Sequence, residues 1–284
     1  MFKMNCQIQP LQNHTTRVIE REKSSFLRAF LVVVPVFIYF IAGTAVRVLF
    51  ITWFSHVHGE GGLVEFMVEN SRQVSAVVNV AAIMIGVLFV LPLFIREGIV
   101  FRMPEKRGKD LWAVGLTGLC AAVSLNFLFG ILQKVIQEEQ FTEVEETEFS
   151  LPLWLGIILY GICSPLAEEI VFRGLVYNRL RRQYSVWLAV AGSSVLFGLY
   201  HGNLIQAGYA TVLGILMAVL YERYGSFLVP VLIHSIANTG IYCIMNMEKT
   251  REAVMTPAGC FISGGIAVLL LWLLMRKQKE SLDR

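Results

Sequence analysis

Charge is what this chain has least of. Asp, Glu, Lys and Arg make up 16% of its 284 residues, where a soluble domain of this size carries about 25%. With 56% hydrophobic residues and a mean hydropathy of +0.62, that shortage excludes an ordinary water-facing surface. Proline is scarce, at eight residues. No Gly/Ser/Pro linker, low-complexity tract or clear internal repeat divides the chain, which argues against a multidomain array. The five cysteines (Cys6, Cys120, Cys163, Cys243 and Cys260) show no CxxC spacing and mostly lie in apolar runs. A disulfide framework is thereby disfavoured, leaving lipid-facing or core thiols. The formal net charge of +3 is small, and nothing in its distribution suggests nucleic acid.

What the chain has instead is long apolar runs, at about 26–54, 74–95, 111–132, 151–178, 187–204, 206–222, 226–246 and 256–275. Runs near 20 residues are the length that crosses a bilayer as helix. The expected fold is therefore all-α, a polytopic membrane bundle of about eight transmembrane helices. A single bundle over residues 26–275 lies between an N-terminal segment, 1–25, and a tail, 276–284. The first run is longer than a signal-peptide core and is followed by no A-x-A-like site, so it is read as a retained span.

Lys and Arg set the orientation. With both termini cytoplasmic, 18 of these residues fall in inner segments and four (Arg72, Lys134, Lys249 and Arg251) in outer loops, with Arg47 and Arg173 inside helices. The glutamate-rich run from Glu138 to Glu148 then faces outward and reads as a solvated loop. His56 and His58, in HVHGEGG, could hold a metal as an H-x-H pair but read better as part of a polar Gly-rich loop. Arg47, near the outer end of the first span, is expected to snorkel to the interface.

Five polar residues sit where hydrocarbon should tolerate none: Glu168 and Glu169 in CSPLAEEIVFRG, His201 in FGLYHGN, and His234 and Asn238 in VLIHSIAN. Ionisable groups inside membrane spans usually face a cavity and carry function. On a helix Glu169 and Arg173 are four apart and can pair, while Glu168 points about 100° away. The bland reading is a helix end meeting headgroups, where adjacent charges are ordinary. If the fourth and fifth runs form a hairpin turning near Tyr184, Glu168 and His201 both lie ~25 Å from its tip, level with each other. A lone histidine on an apolar helix is more often a core residue, but one level with a glutamate pair is less easily dismissed. His234 and Asn238 share a helix face and lie ~14 Å from the next tip, near Tyr224-Gly225. The two histidines meet if the Arg-rich hairpin projects ~10 Å further inward, giving a site approached from the cytoplasmic side.

The set E-E-x-x-x-R, F-x-x-x-H and H-x-x-x-N, carried by Glu168–Arg173, Phe197–His201 and His234–Asn238, resembles the CPBP family of intramembrane proteases. That family includes CAAX prenyl endopeptidases and bacterial relatives linked to bacteriocin processing and self-immunity. The resemblance covers roughly residues 150–246; residues 1–150 carry no matching motif. It implies an all-helical bundle with endopeptidase activity on a peptide or protein substrate reaching a membrane cavity. It also implies that Glu168 is the critical carboxylate, with His201, His234 and Asn238 in the family's other motif positions. Two chemistries fit. Zinc held by Glu168, His201 and His234 would leave an open position for water. Alternatively, Glu168 and His201 activate water directly while His234 and Asn238 donate to the oxyanion.

The competing reading is a non-catalytic immunity protein, or a regulator of a membrane partner, on the same fold. A dead relative would be expected to lose one of the four key residues, and all four are present. A transporter is disfavoured because the buried polar groups all lie in the second half of the chain, without the paired repeats such proteins show. The expected location is multi-pass in a bacterial plasma membrane. Substrate identity and oligomeric state are not legible at this level.

Overall fold

The computed structural model describes residues 12–56, 62–99 and 110–276. His58, the cluster Arg102, Lys106, Arg107 and Lys109, and the tail from Lys277 lie outside the described residues, as does Cys6. The described chain forms helices α1 (Gln12–His56), α2 (Gly62–Glu69), α3 (Ser71–Arg96), α4 (Leu111–Ile136), α5 (Glu139–Glu148) and α6 (Leu153–Arg181). They are followed by α7 (Val186–Tyr200), α8 (Leu204–Tyr224), α9 (Leu228–Asn246), α10 (Glu248–Val254) and α11 (Pro257–Arg276). There is no strand among the described residues. The protein is an all-α, multi-pass membrane bundle.

Seven of these helices are long and apolar enough to cross a membrane: α1 over Phe30–His56, then α3, α4, α6, α8, α9 and α11. The remaining expected run is shorter. Helix α7 has 15 residues, about 22 Å, below the ~30 Å of a bilayer core. It spans only part of that depth and turns back at His201-Gly202-Asn203. Asn203 caps α8 by accepting from the Gln206 N–H at 2.8 Å, the usual way an Asx side chain satisfies a first-turn donor.

Helix α4 packs against α8, α9 and α11, while α1 packs on α3 and both reach α6. Leu, Phe and Trp side chains such as Leu49, Phe89, Trp187 and Phe261 point outward, as lipid-facing positions require. Glycines among the larger buried side chains let helices approach. A Cβ on Gly86 would meet the Tyr39 carbonyl oxygen at 2.8 Å, and one on Gly198 would meet that of Ala207 at 2.4 Å. Close packing of this kind does the work that hydrophobic burial does in water, because lipid is as apolar as leucine.

Charges collect at the two ends. At one end Glu97 accepts from Arg179, at 2.9 Å, and from Arg182, tying α3 to the end of α6. Arg181 pairs with Glu222 at 3.0 Å and Tyr177 donates to the same carboxylate at 2.5 Å. At the other end the glutamate-rich run is a helix rather than a loop. Its preceding residue, Glu138, accepts from the N–H groups of Leu204 and Ile205 at 2.8 and 3.1 Å. A carboxylate at a helix N-terminus satisfies orphan donors and favours the dipole, which explains why α5 is pinned there.

Gly198→Ala is expected to lower the melting temperature of the detergent-solubilised protein by several degrees, because a methyl group cannot enter a backbone contact without moving α7 off α8. Gly130→Ala, on α4 with open space around it, should be neutral or stabilising by up to about 1 kcal/mol. Thermal unfolding followed by tryptophan fluorescence compares the two.

Candidate active site

Helix α6 is not a regular α-helix. Residues Ile157–Cys163 and Ile170–Tyr177 are wound as π-helix on either side of the α-helical turn Ser164–Glu169. Such wide turns are rare and frequently sit at functional sites. Here they bracket the two glutamates, which are buried with Arg173 in the middle of the bundle.

Arg173 Nη1 donates to Glu169 Oε1 at 2.8 Å, and neither side chain has any exposure to solvent. This is a buried ion pair, not a helix end at the headgroups. Arg173 Nη2 donates to the Gly214 carbonyl at 3.1 Å, and the guanidinium lies over the Phe197 ring at 4.5 Å. One cation thus links α6, α7 and α8. Glu169 Oε1 also accepts from His234 Nδ1 at 2.9 Å. Because a carboxylate oxygen only accepts, the shared proton sits on Nδ1 and His234 Nε2 is left facing Glu168 Oε2 at 3.8 Å.

His201 is fixed in the same way. Its Nδ1 lies 2.9 Å from the Phe197 carbonyl, an acceptor, so Nδ1 carries the hydrogen and Nε2 is the free nitrogen. Both histidine rings stand edge-on to Phe197, with centroids 5.0 and 5.5 Å away. Phe197 is therefore the wall on which the second and third motifs converge. Asn238, one turn beyond His234, donates to the Tyr160 carbonyl at 3.2 Å. It reaches the first π-helical segment of α6.

The structure brings Glu168, Glu169, Arg173, His201, His234 and Asn238 into one region where α6, α7 and α9 meet. It does not gather the three residues considered as zinc ligands into a metal-binding group. No cluster of three His, Cys, Asp or Glu side chains among the described residues is placed to hold a metal ion. His56 is exposed at the end of α1, with Nδ1 at 2.7 Å from the Thr52 carbonyl, remote in role from the site. The four described cysteines are free.

Several participants were not legible in the sequence. Ser164 donates to Glu168 Oε1 at 2.7 Å, holding one carboxylate oxygen; its only sequence signal is the four-residue spacing to Glu168. Tyr242 continues the His234–Asn238 face by one more turn and donates to the carbonyls of Glu148 and Leu151 at 3.2 and 3.1 Å. It anchors the end of α5 beside the site. His201 ends the short helix α7 at the end where α5 is pinned.

Outside the spans, this arrangement perturbs Glu148. Burial, then the Glu168 and Glu145 charges, push its carboxyl up from the ordinary 4.5 to about 8. The native state thus holds a proton that the unfolded chain has released between pH 4.5 and 8, so stability falls as pH rises through that window. Glu148→Gln should flatten the decline. Melting temperatures at pH 5 and pH 9 should differ less in the variant than in wild type.

Residues 150–240 match the family model described as "Type II CAAX prenyl endopeptidase Rce1-like". Among curated proteins, the chain is 27% identical over 185 residues to "Putative membrane peptidase YdiL" of Bacillus subtilis (strain 168). That alignment covers 62% of this chain and 73% of the relative. It is 31% identical over 130 residues to an "Uncharacterized 24.3 kDa protein" of Escherichia coli, covering 44% of this chain and 60% of that protein. No solved structure matches significantly. These similarities support the CPBP-family resemblance carried by the three motifs, and with it a CAAX-protease-like membrane peptidase.

Proposed function

We propose that the protein is an intramembrane endopeptidase whose catalytic groups are Glu168, His201, His234 and Asn238, acting on a peptide or protein segment that enters the bundle. The observation that carries this reading is the meeting of His234 with both glutamates, at 2.9 and 3.8 Å. A carboxylate pair and an imidazole buried together in a membrane span are costly, so they are retained where they do chemistry.

Each residue has a role that its partners permit. Glu168, steadied by Ser164, takes a proton from a water held between its free oxygen and His201 Nε2. The hydroxide attacks the scissile carbonyl. Asn238 donates to the oxyanion in place of the Tyr160 carbonyl, and His234 joins it by taking the Glu168 proton at Nε2 and returning it before the amine leaves. Protonated Glu168 then passes its proton to the leaving amine. Glu169 and Arg173 are positioning residues: they fix the His234 ring and keep its tautomer. Zinc on Glu168, His201 and His234 belongs to the metalloprotease form of the reading. The side chains do not gather as a three-ligand cluster among the described residues. The location proposed is a bacterial plasma membrane with both termini cytoplasmic. A bacteriocin-linked or regulatory role on the same fold would use the same buried groups for binding alone.

Glu168→Gln is expected to lose all proteolysis, since an amide cannot take the proton. Asn238→Ala should fall by roughly 10²–10³ in rate, as loss of an oxyanion donor does in soluble hydrolases. Glu169→Gln should keep substantial activity, because the amide oxygen still accepts from Arg173 and His234. Cleavage of membrane peptides by purified variants, followed by mass spectrometry, measures all three; wild-type turnover by Glu168→Gln overturns the assignment.

The metal question has its own measurement. Direct water activation predicts full activity in protein shown to be metal-free by elemental analysis. Loss of activity to 1,10-phenanthroline, recovery with zinc, and one equivalent of metal that disappears in His201→Ala would restore the three-ligand scheme.

A further inference from the structure

Asn178 stands where the second wide segment of α6, Ile170–Tyr177, gives way to the α-helical turn Asn178–Arg181. A backbone N–H reaches back five residues in a π-turn and four in an α-turn. Where one passes into the other a carbonyl is skipped, and a buried carbonyl needs a donor from elsewhere. The Asn178 side chain supplies it. Its Nδ2 donates to the Arg173 carbonyl at 2.9 Å and to the Gly174 carbonyl at 3.0 Å. The amide is held in turn by Tyr221 on α8, whose hydroxyl lies 3.0 Å from Nδ2 and 3.4 Å from Oδ1. From α3, the Phe94 ring closes on the same turn, 2.5 Å from where a Cβ on Gly174 would stand.

One of the two carbonyls so held belongs to the arginine of the buried ion pair. Winding sets where that arginine points. Four residues of α-helix turn through about 400°, slightly past a full circle; four residues of the wider π-turn fall short of one. Returning Ile170–Tyr177 to α-winding would therefore swing Arg173 about the axis relative to Glu169. The guanidinium has three contacts to lose by that swing: Glu169 Oε1 at 2.8 Å, the Gly214 carbonyl at 3.1 Å and the Phe197 ring at 4.5 Å. Glu169 Oε1 is also the acceptor for His234 Nδ1. A shift there reaches the imidazole that faces Glu168.

We propose that Asn178 is a positioning residue for the site. By holding the Arg173 and Gly174 carbonyls it keeps the wide winding of α6, and through Arg173 and Glu169 it keeps the hydrogen of His234 on Nδ1. The inference rests on the protease reading for its effect on rate, and on the hydrogen bonds alone for its effect on His234. Tyr177, next in the chain, provides the comparison. Its hydroxyl donates to Glu222 at 2.5 Å, at the same end of α6 but on a partner separate from the Arg173 backbone.

The test uses full-length protein in phosphatidylcholine nanodiscs, with Asn178→Leu, Asn178→Thr and Tyr177→Phe beside wild type. Leucine matches asparagine in size and donates nothing. Threonine keeps one donor, which can reach the carbonyl four residues back. In the first arm, nitrogen-15 NMR of histidine-labelled protein reads which ring nitrogen of His234 carries the hydrogen, with the signal assigned by its loss in His234→Gln. Wild type should show Nδ1 protonated throughout. Asn178→Leu should add a form protonated only at Nε2, at roughly a tenth of the population or more, with Asn178→Thr between the two and Tyr177→Phe like wild type. In the second arm, cleavage of a set of synthetic apolar peptides is followed by mass spectrometry. Asn178→Leu should lower kcat by about tenfold, with KM changed by no more than about twofold. A shifted His234 ring in Asn178→Leu, in protein whose wild type cuts nothing, keeps the positioning role and rejects the protease reading. An unshifted ring in Asn178→Leu, an equal shift in Tyr177→Phe, or an unchanged kcat where wild type cuts overturns the proposal. If Asn178→Leu does not fold, Asn178→Thr decides, and a ring identical to wild type there overturns it.

Discussion

The buried ion pair between Arg173 and Glu169 is the constraint around which the rest of this bundle is arranged. Two opposite charges at 2.8 Å with no solvent exposure cannot be left half-made, because truncating either side chain leaves its partner buried and unbonded at a cost of about 3–5 kcal/mol. Every element that touches the pair is accordingly fixed. Gly214 on α8 turns its carbonyl to the guanidinium, Phe197 on α7 presents its ring face, and His234 on α9 bonds the carboxylate. Three helices are registered against α6 by one arginine and its partner.

That registration has a chemical consequence. Holding His234 by Nδ1 leaves Nε2 toward Glu168, and holding His201 by the Phe197 carbonyl leaves its Nε2 free as well. The two imidazoles thus present the same nitrogen, on either side of one aromatic wall, without either needing to choose a tautomer during reaction. The division between the adjacent glutamates follows. Glu169 is consumed by structure, while Glu168 keeps one oxygen on Ser164 and one facing His234. Neighbours in sequence, they differ because a 100° turn sends one to the arginine and the other to Ser164 and His234.

The half-length helix α7 is the second feature that shapes the site. A full span would carry its end to the far interface. Stopping after 15 residues places His201 at a helix terminus inside the bundle, where backbone donors need partners. Glu138 supplies them to the next helix and draws α5 over the same end. The acidic run is therefore a helix rather than a loop, and Glu148 becomes part of the site's surroundings through Tyr242.

The sequence by itself determined the all-helical membrane class and the three motifs, because apolar length and the cost of charge in hydrocarbon act locally. It also predicted the Glu169–Arg173 pairing, since residues four apart on a helix face each other wherever that helix goes. Tertiary structure alone decided that His234 belongs to Glu169 as much as to Glu168. It alone brought the Tyr39 ring against that of Tyr200. It decided the π-helical winding of α6 too, where close contacts such as Gly161 against Thr239 and Gly174 against Phe94 bring α6 close to α9 and α3. These are contacts between residues tens to over a hundred positions apart, whose geometry depends on how helices pack rather than on any pattern one helix carries.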